Sequence, residues 1–551
     1  ASVLAEATRA GLDVTETPVV RSTPSVPLPR GSGWSLLFEG VRSRSGVLAI
    51  LIVLTGLCVF GVLSYPAHQY LGDSDSVISG LCAVDVLNGT HWLFFPSGYR
   101  LGPHSCYVGA VWVAIMGQTR EALAAITMVY IVVFLTFVFL ALRVALGRKA
   151  ALTGTLAAAF PPLQYVLFIE PPWGYGEIMA CTAITLWFGF VLLFRPVLRS
   201  KRMSLLFGLT FGLTIWTSPQ SLMVTGPLIL LLLVRRVFPS LWDLALLTVG
   251  TVAGLWAYLV TILQKGTAPF ASSFATRPVD SIGQLTANIH YLSTHVLPLF
   301  FLNSGLPPQT PAQGFMFLVL VAAAGVTAWI AWKGLWQWER PGFRMRNGLL
   351  ACFTIAVIAT SVVLFVISGA GSIRGWTTRY LAPLFFVVPL LAANLCQMAI
   401  RRRVGSIVVI AVVALSTFNG LTYRYPNNQY RVEQTLALAT DRKDYDWLVS
   451  RSRAVVLGEF WAVYRLNFGF GTSLTAVPTT LIDYNFRGER LLSRSDFRLA
   501  LIHTSAPSLQ IWAGRAGLRG HIESMPGGQF AFLVDGEVEP RRIREIISNY
   551  Q

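Results

Sequence analysis

Long apolar runs alternate with short polar turns through most of this chain, and polar stretches close both ends. Runs of membrane-spanning length fall near 46–65, 121–142, 150–169, 177–194, 204–218, 221–234, 240–264, 313–332, 348–368, 380–399 and 405–423. The pattern predicts about eleven transmembrane helices. Within 204–234, Ser218-Pro219 divides one long run into two short ones. Proline lacks an amide donor, which suits a tight turn at that point. After residue 424 the pattern changes. A helix-like stretch at 431–451 is followed by strand-like Ala454-Val455-Val456-Leu457, Leu499-Ala500-Leu501-Ile502 and Phe530-Ala531-Phe532-Leu533-Val534, which reads as a small α/β module.

Composition agrees with the membrane reading. Hydrophobic residues make up 54% of the 551 positions, and mean hydropathy is +0.59, beyond what a soluble core needs. Charge then sets orientation. Arg143, Arg148 and Lys149 lie in one loop, Arg195, Arg199, Lys201 and Arg202 in another, and Arg235 and Arg236 in a third. Lys333, Arg340, Arg344 and Arg346 follow, then Arg401, Arg402 and Arg403. All fall on one side of the alternating spans, which the positive-inside rule makes cytoplasmic. An odd number of spans places the N-terminus inside and the C-terminal region outside. The net charge of +17 therefore records topology. Its dispersal over separate loops argues against a nucleic-acid partner.

This count gives a disordered cytoplasmic tail over 1–45, a transmembrane domain over 46–423 with outer loops at 66–120 and 265–311, and an outer domain over 424–551. The tail is rich in Ser, Pro, Thr and Arg. Its length ahead of the first span predicts no cleavable signal peptide. Cys58, Cys181, Cys352 and Cys396 fall in spans and read as small apolar packers. Cys82 and Cys106 share the first outer loop, where pairing is open to them. Asn88-Gly89-Thr90 fits a glycosylation sequon, though nothing else suggests a eukaryotic secretory context.

Acids are scarce, with 26 Asp and Glu against 43 Lys and Arg. Two of them stand in Gly72-Asp73-Ser74-Asp75, just past the first span. Residues 75–89 read as an amphipathic helix, with Val77, Leu81 and Val84 at helical spacing and Gly89 as a stop. Asp75 sits at the predicted N-cap, so helix capping is one explanation for it. A plain cap needs no second acid at Asp73, whereas a general base or cation site can use one.

These residues resemble a known loop. Asp75 through Gly89, then Leu93-Phe94-Phe95 and Gly98-Tyr99, look like the first outer loop of bacterial GT-C glycosyltransferases. The resemblance is to the branch of protein mannosyltransferases and lipid A aminoarabinose transferases. There an Asp-Glu-Ala step opens the loop helix; here Ser76 replaces the Glu, and Asp73 is placed to supply the second charge. Gly174-Tyr175-Gly176-Glu177, Trp216-Thr217-Ser218-Pro219 and Arg379-Tyr380-Leu381-Ala382-Pro383 resemble further segments of that branch, in order along 46–423.

The resemblance implies a polytopic α-helical GT-C fold in a bacterial inner membrane. It implies a donor sugar on a polyprenyl phosphate and a glycan, lipid or protein acceptor met on the periplasmic side. Asp75, with Asp73, would serve as the base. Arg379 opens a late span where the lipid phosphate would sit, with Tyr380, Arg374 and Arg100 as further contacts; interfacial snorkelling is the alternative for Arg379. Glu177 and His104 are candidates for orienting the acceptor or binding a metal, and Trp173 and Tyr175 for stacking on a sugar. Ligand spacing demonstrates no divalent cation site. A transporter remains a different reading, but its acids belong at mid-membrane, whereas these cluster at outer turns. A non-catalytic scaffold would not need three acids on converging turns.

Overall fold

The computed structural model describes residues 46–57, 74–96, 101–161, 165, 169, 174–238, 240–267, 279–298, 311–336, 343–367, 376–399, 440–458, 463, 466, 474–479 and 497–548. From Leu48 to Gln551 the chain forms one compact unit.

The helical part begins with α1 (Gly46–Leu57). It continues with α2 (Ser74–Leu87), α3 (His104–Met116), α4 (Arg120–Leu146), α5 (Arg148–Ala159), α6 (Tyr175–Phe194) and α7 (Lys201–Thr217). Next come α8 (Leu222–Val234), α9 (Leu241–Gly254), α10 (Trp256–Lys265), α11 (Ile282–Tyr291), α12 (Pro311–Trp336), α13 (Phe343–Ile367) and α14 (Val387–Ala399). Local chemistry starts several of them. The side chains of Thr119, Ser200, Ser240 and Ser281 each accept a hydrogen bond from a first-turn amide of α4, α7, α9 and α11, satisfying donors the helix leaves free.

Among the described residues, four segments are long and apolar enough to cross a membrane: Glu121–Leu146, Tyr175–Phe194, Arg346–Ile367 and Tyr380–Gln397. Counting the bent pair α9–α10 as one span gives five. The remaining predicted runs differ in detail. The run at 240–264 is bent by 61° between α9 and α10. The run at 204–234 does divide at Ser218-Pro219, where the Ser218 hydroxyl accepts from the Gln220 amide and a 3-10 turn (Pro219–Ser221) leads into α8. The run at 380–399 opens as a 3-10 helix (Trp376–Phe386) around Pro383 before becoming α14. The α5 helix ends at Ala159, well short of the predicted 169; Pro161 and Pro162 follow it in sequence, and proline disfavours helical backbone in the residue before it. The run at 405–423 lies outside the described residues. Outward faces carry large apolar side chains, with Leu241 84% and Leu263 85% exposed, as lipid contact requires.

Helix packing is closest where glycines face one another. A Cβ on Gly208 or Gly212 of α7 would run into the carbonyl oxygen of Leu247 or Thr251 on α9. Gly250 and Gly254 of α9 are closed in the same way by the carbonyls of Leu205 and Leu209. Two such small-x-x-x-small stripes let the backbones touch, the packing mode available where lipid removes the hydrophobic drive. At the other side of the bundle, the Gln397 amide of α14 donates to Leu146 O at 2.9 Å, and Thr153 of α5 donates to Cys396 Sγ at 3.2 Å.

The C-terminal segment holds α15 (440–450), β1 (Val455–Gly458), β2 (Thr475–Pro478), β3 (Leu499–His503), α16 (Ala506–Arg515), β4 (Gly520–Ser524), β5 (Phe530–Val534) and α17 (Ile543–Ser548). The sheet order is β2-β1-β3-β5-β4; β2, β1 and β3 run parallel, while β5 and β4 are antiparallel to their neighbours. Alternate side chains enter two cores. Val455, Leu457, Leu499 and Leu501 pack with Trp512 of α16 and Ile546 of α17. Val456, Ala500 and Ile502 pack with Tyr445 and Leu448 of α15. A parallel strand covered on both faces reads as an unbroken apolar run, which is why β1 and β3 are visible in the sequence. Edge strands β2 and β4 lack such a run, and sequence reasoning missed them.

Candidate functional site

The α2 helix begins at Ser74, one residue before the sequence pattern places it, so Asp75 lies in its first turn rather than at its cap. End residues of a helix shift this readily, because both Ser and Asp suit the first turn. The Asp75 carboxylate and all of Asp73 lie outside the described residues. The far end stops as predicted. Thr90 N–H reaches Asp85 O, Gly89 N–H reaches Val86 O, and Gly89 takes φ +83°, the paired reverse bonds of a glycine-terminated helix. Val77, Ile78, Leu81 and Ala83 are buried against α3 and α4. A disulfide joins Cys82 of α2 to Cys106 of α3.

Residues 92–96 and 101–106 fasten this pair onto one end of the helical bundle. Trp216 Nε1 donates to Leu93 O at 2.9 Å, and Phe94 meets Tyr258 of α10 edge-on at 5.0 Å. The Gly102 amide donates to Thr217 O at 2.9 Å. His104 Nε2 lies 2.9 Å from Thr217 Oγ1, with its ring edge-on to Trp216 at 4.9 Å. The Ser105 amide donates to Glu177 Oε1 at 2.8 Å. One end of the bundle thus gathers the start of α3, the start of α6, the end of α7 and the start of α10.

Burial sets the electrostatics here. Among the described residues no charged partner faces His104, and burial pushes its imidazole down to about 4, so it is neutral at pH 7. Thr217 donates its own hydroxyl proton to Leu213 O at 2.9 Å. Its oxygen therefore accepts from His104, which puts the imidazole proton on Nε2 and the lone pair on Nδ1. Glu177 is only 1% exposed. Pro103, at the α3 N-cap, offers no side-chain acceptor, and Glu177 Oε1 fills that place from another helix. Glu177 Oε2 is buried without a hydrogen-bond partner among the described residues, so it keeps its bonding capacity.

The structure brings His104 and Glu177 to adjacent residues of one helix start, joined through Ser105. Tyr175 is 5% exposed and packs in the main core, so its ring presents no open face. Arg379 lies in the 3-10 helix directly before the candidate span that opens at Tyr380; its side chain is not described. Arg100, Trp173 and Arg374 lie outside the described residues. No three His, Cys, Asp or Glu side chains come together to hold a metal ion among the described residues. Sequence reasoning missed Tyr130 and Ser105, which sit on apolar runs with no local pattern. It quoted Trp216 and Thr217 only as a turn.

Neither a family model nor a curated protein sequence matches the chain. Solved structures do. ArnT from Cupriavidus metallidurans bound to undecaprenyl phosphate superposes with TM-score 0.57 at 13% identity, covering 89% of this chain and 98% of that one. The apo state of the same ArnT gives TM-score 0.55 at 13% identity over the same shares. At this identity the likeness establishes the fold alone: the chain folds as that ArnT does.

Proposed function

We propose that the protein is a multi-pass GT-C transferase of the bacterial inner membrane that moves a sugar from a polyprenyl-phosphate carrier to a glycan, lipid or protein acceptor on the periplasmic side. The observation that carries this reading is the fold match over 89% of the chain to an ArnT bound to undecaprenyl phosphate. The spans then number about eleven, and the C-terminal α/β domain is periplasmic.

In this reading Asp75 is the general base. It lies in the first turn of a helix that is buried against α3 and α4 and cross-linked to α3. A base on a rigid element can take the acceptor proton as the acceptor attacks the sugar carbon. Asp73 tunes or orients it. The leaving group is a lipid phosphate, which becomes more negative as the bond to sugar breaks. A guanidinium at the water–lipid boundary stabilises that growing charge through paired hydrogen bonds, and Arg379, directly before a span, is placed for it. Tyr380, Arg374 and Arg100 are the further candidates on the phosphate, and Trp173 for stacking on the sugar.

Purified protein supplied with a polyprenyl-phosphate sugar tests this. Wild type should release polyprenyl phosphate in an acceptor-dependent way. Asp75→Asn should fold, because an amide still suits the first turn, and should lose on the order of 10²-fold or more in turnover. Near-normal turnover in Asp75→Asn would end the base assignment.

A further inference from the structure

Three consecutive residues tie α3 to three different helices. His104 bonds Thr217 at the end of α7. Ser105 bonds Glu177 at the start of α6. Cys106 is cross-linked to Cys82 of α2. We infer that His104-Ser105-Cys106 forms a tripod that fixes where α2 stands on the bundle, and that Glu177 is a positioning residue whose side-chain oxygen Oε1 carries its central foot. The inference rests on the reading of Asp75 as the base, because α2 is the helix that bears it.

The geometry has little slack. Pro103 gives α3 no side-chain cap, so among the described residues the side-chain acceptor for its first turn comes from elsewhere. Glu177 does so from 72 residues away, through a bond in which both residues are buried. One turn on, a Cβ at Gly109 would stand 3.0 Å from Ala83 Cβ of α2 and 2.9 Å from Ile126 Cδ1 of α4. There α2, α3 and α4 touch without a gap, so α2 moves only when α3 moves. Asp75 stands seven residues before Cys82, which is roughly 10 Å along the helix. A small tilt at the tripod therefore displaces the Asp75 backbone by a comparable or larger amount. A shift of about 1 Å in a positioned group costs on the order of 10²-fold in rate. Two feet are hydrogen bonds and one is covalent, so the third can be cut by a dithiol, which is oxidised as it leaves both cysteines as thiols.

The test pairs a physical readout with a functional one. Hydrogen exchange of α2 amides is measured in the full-length protein, alongside product formation in a deletion strain carrying each variant. Glu177→Leu removes the acceptor; Glu177→Gln keeps an oxygen for the Ser105 amide. Glu177→Leu should speed α2 exchange tenfold or more and cut product on the order of 10²-fold, while binding of undecaprenyl phosphate, used as the probe, stays within about threefold. Glu177→Gln should recover most of both losses. Reduction of wild type by a dithiol, or Cys82→Ser with Cys106→Ser, cuts a different foot and should loosen α2 in the same way, so the test survives a Glu177→Leu protein that fails to fold. Unchanged α2 exchange in Glu177→Leu and in the reduced protein would overturn the tripod. So would a Glu177→Gln protein as damaged as Glu177→Leu, since that would give the carboxylate a chemical role. The exchange result needs no assumption about Asp75, whose own assignment stands or falls with Asp75→Asn.

Discussion

His104 should make the stability of this protein depend on acid in a way one substitution removes. Its imidazole is held neutral by burial, with the folded pKa down at about 4 against an ordinary value of about 6.5 in the unfolded chain. Between those values the unfolded chain binds more protons than the folded one. Stability therefore rises with pH through that window, is fully present above pH 6.5, and is lost as pH falls toward 4. A gap of that size corresponds to about 3 kcal/mol, and the residual solvent contact of this half-buried side chain trims it to about 2 kcal/mol. His104→Gln keeps an N–H for Thr217 Oγ1 and cannot titrate. Unfolding in detergent from pH 4 to pH 8 should show wild type losing about 2 kcal/mol more than His104→Gln between pH 6.5 and 4. The two should run parallel above pH 7. Parallel curves over the whole range would show that His104 is charged and solvated in the fold, and would refute the buried neutral imidazole.

Other perturbations follow from the same packing. Gly208→Leu or Gly212→Leu should force α7 from α9 and lower stability by about 1–3 kcal/mol, read as thermal inactivation in detergent, because a backbone carbonyl blocks each Cβ. Gly325→Ala, where a Cβ meets nothing within 4 Å, should be neutral or gain up to about 1 kcal/mol in the same assay. Trp216→Phe should cost about 1 kcal/mol by orphaning Leu93 O and loosening the first loop. Arg379→Ala should weaken undecaprenyl phosphate binding and turnover together, with Arg379→Lys intermediate; a wild-type Arg379→Ala would mean the side chain only snorkels.

The bundle was legible because membrane helices advertise themselves. Runs such as 121–142 and 177–194 lie inside α4 and α6, since a lipid-facing surface needs the same apolar residues at every depth. Ser218-Pro219 marked its own turn, and Gly89 its own stop, because both act through local backbone chemistry. The bend between α9 and α10 had no such mark: no proline lies there, and Gly254 serves in the contact with α7. The site was legible only in part. His104 and Glu177 stood out as ionisable groups at turns, but what they touch is set by tertiary contacts across 113 and 72 residues. The sequence made Glu177 a candidate for orienting the acceptor or binding a metal. It caps a different helix, an outcome no spacing rule contains. The pairing of Cys82 with Cys106 was open in sequence and is settled by α2 lying against α3.

The most direct test of the account is mass analysis of envelope glycans and lipids from a strain lacking the protein, compared with its parent and with strains restored by wild type or Asp75→Asn. One sugar-sized mass increment should disappear from a glycan, lipid or protein in the deletion strain while a polyprenyl-phosphate sugar accumulates. Wild type should restore both, and Asp75→Asn neither. Identical envelope masses in deletion and parent strains, or full restoration by Asp75→Asn, would contradict it.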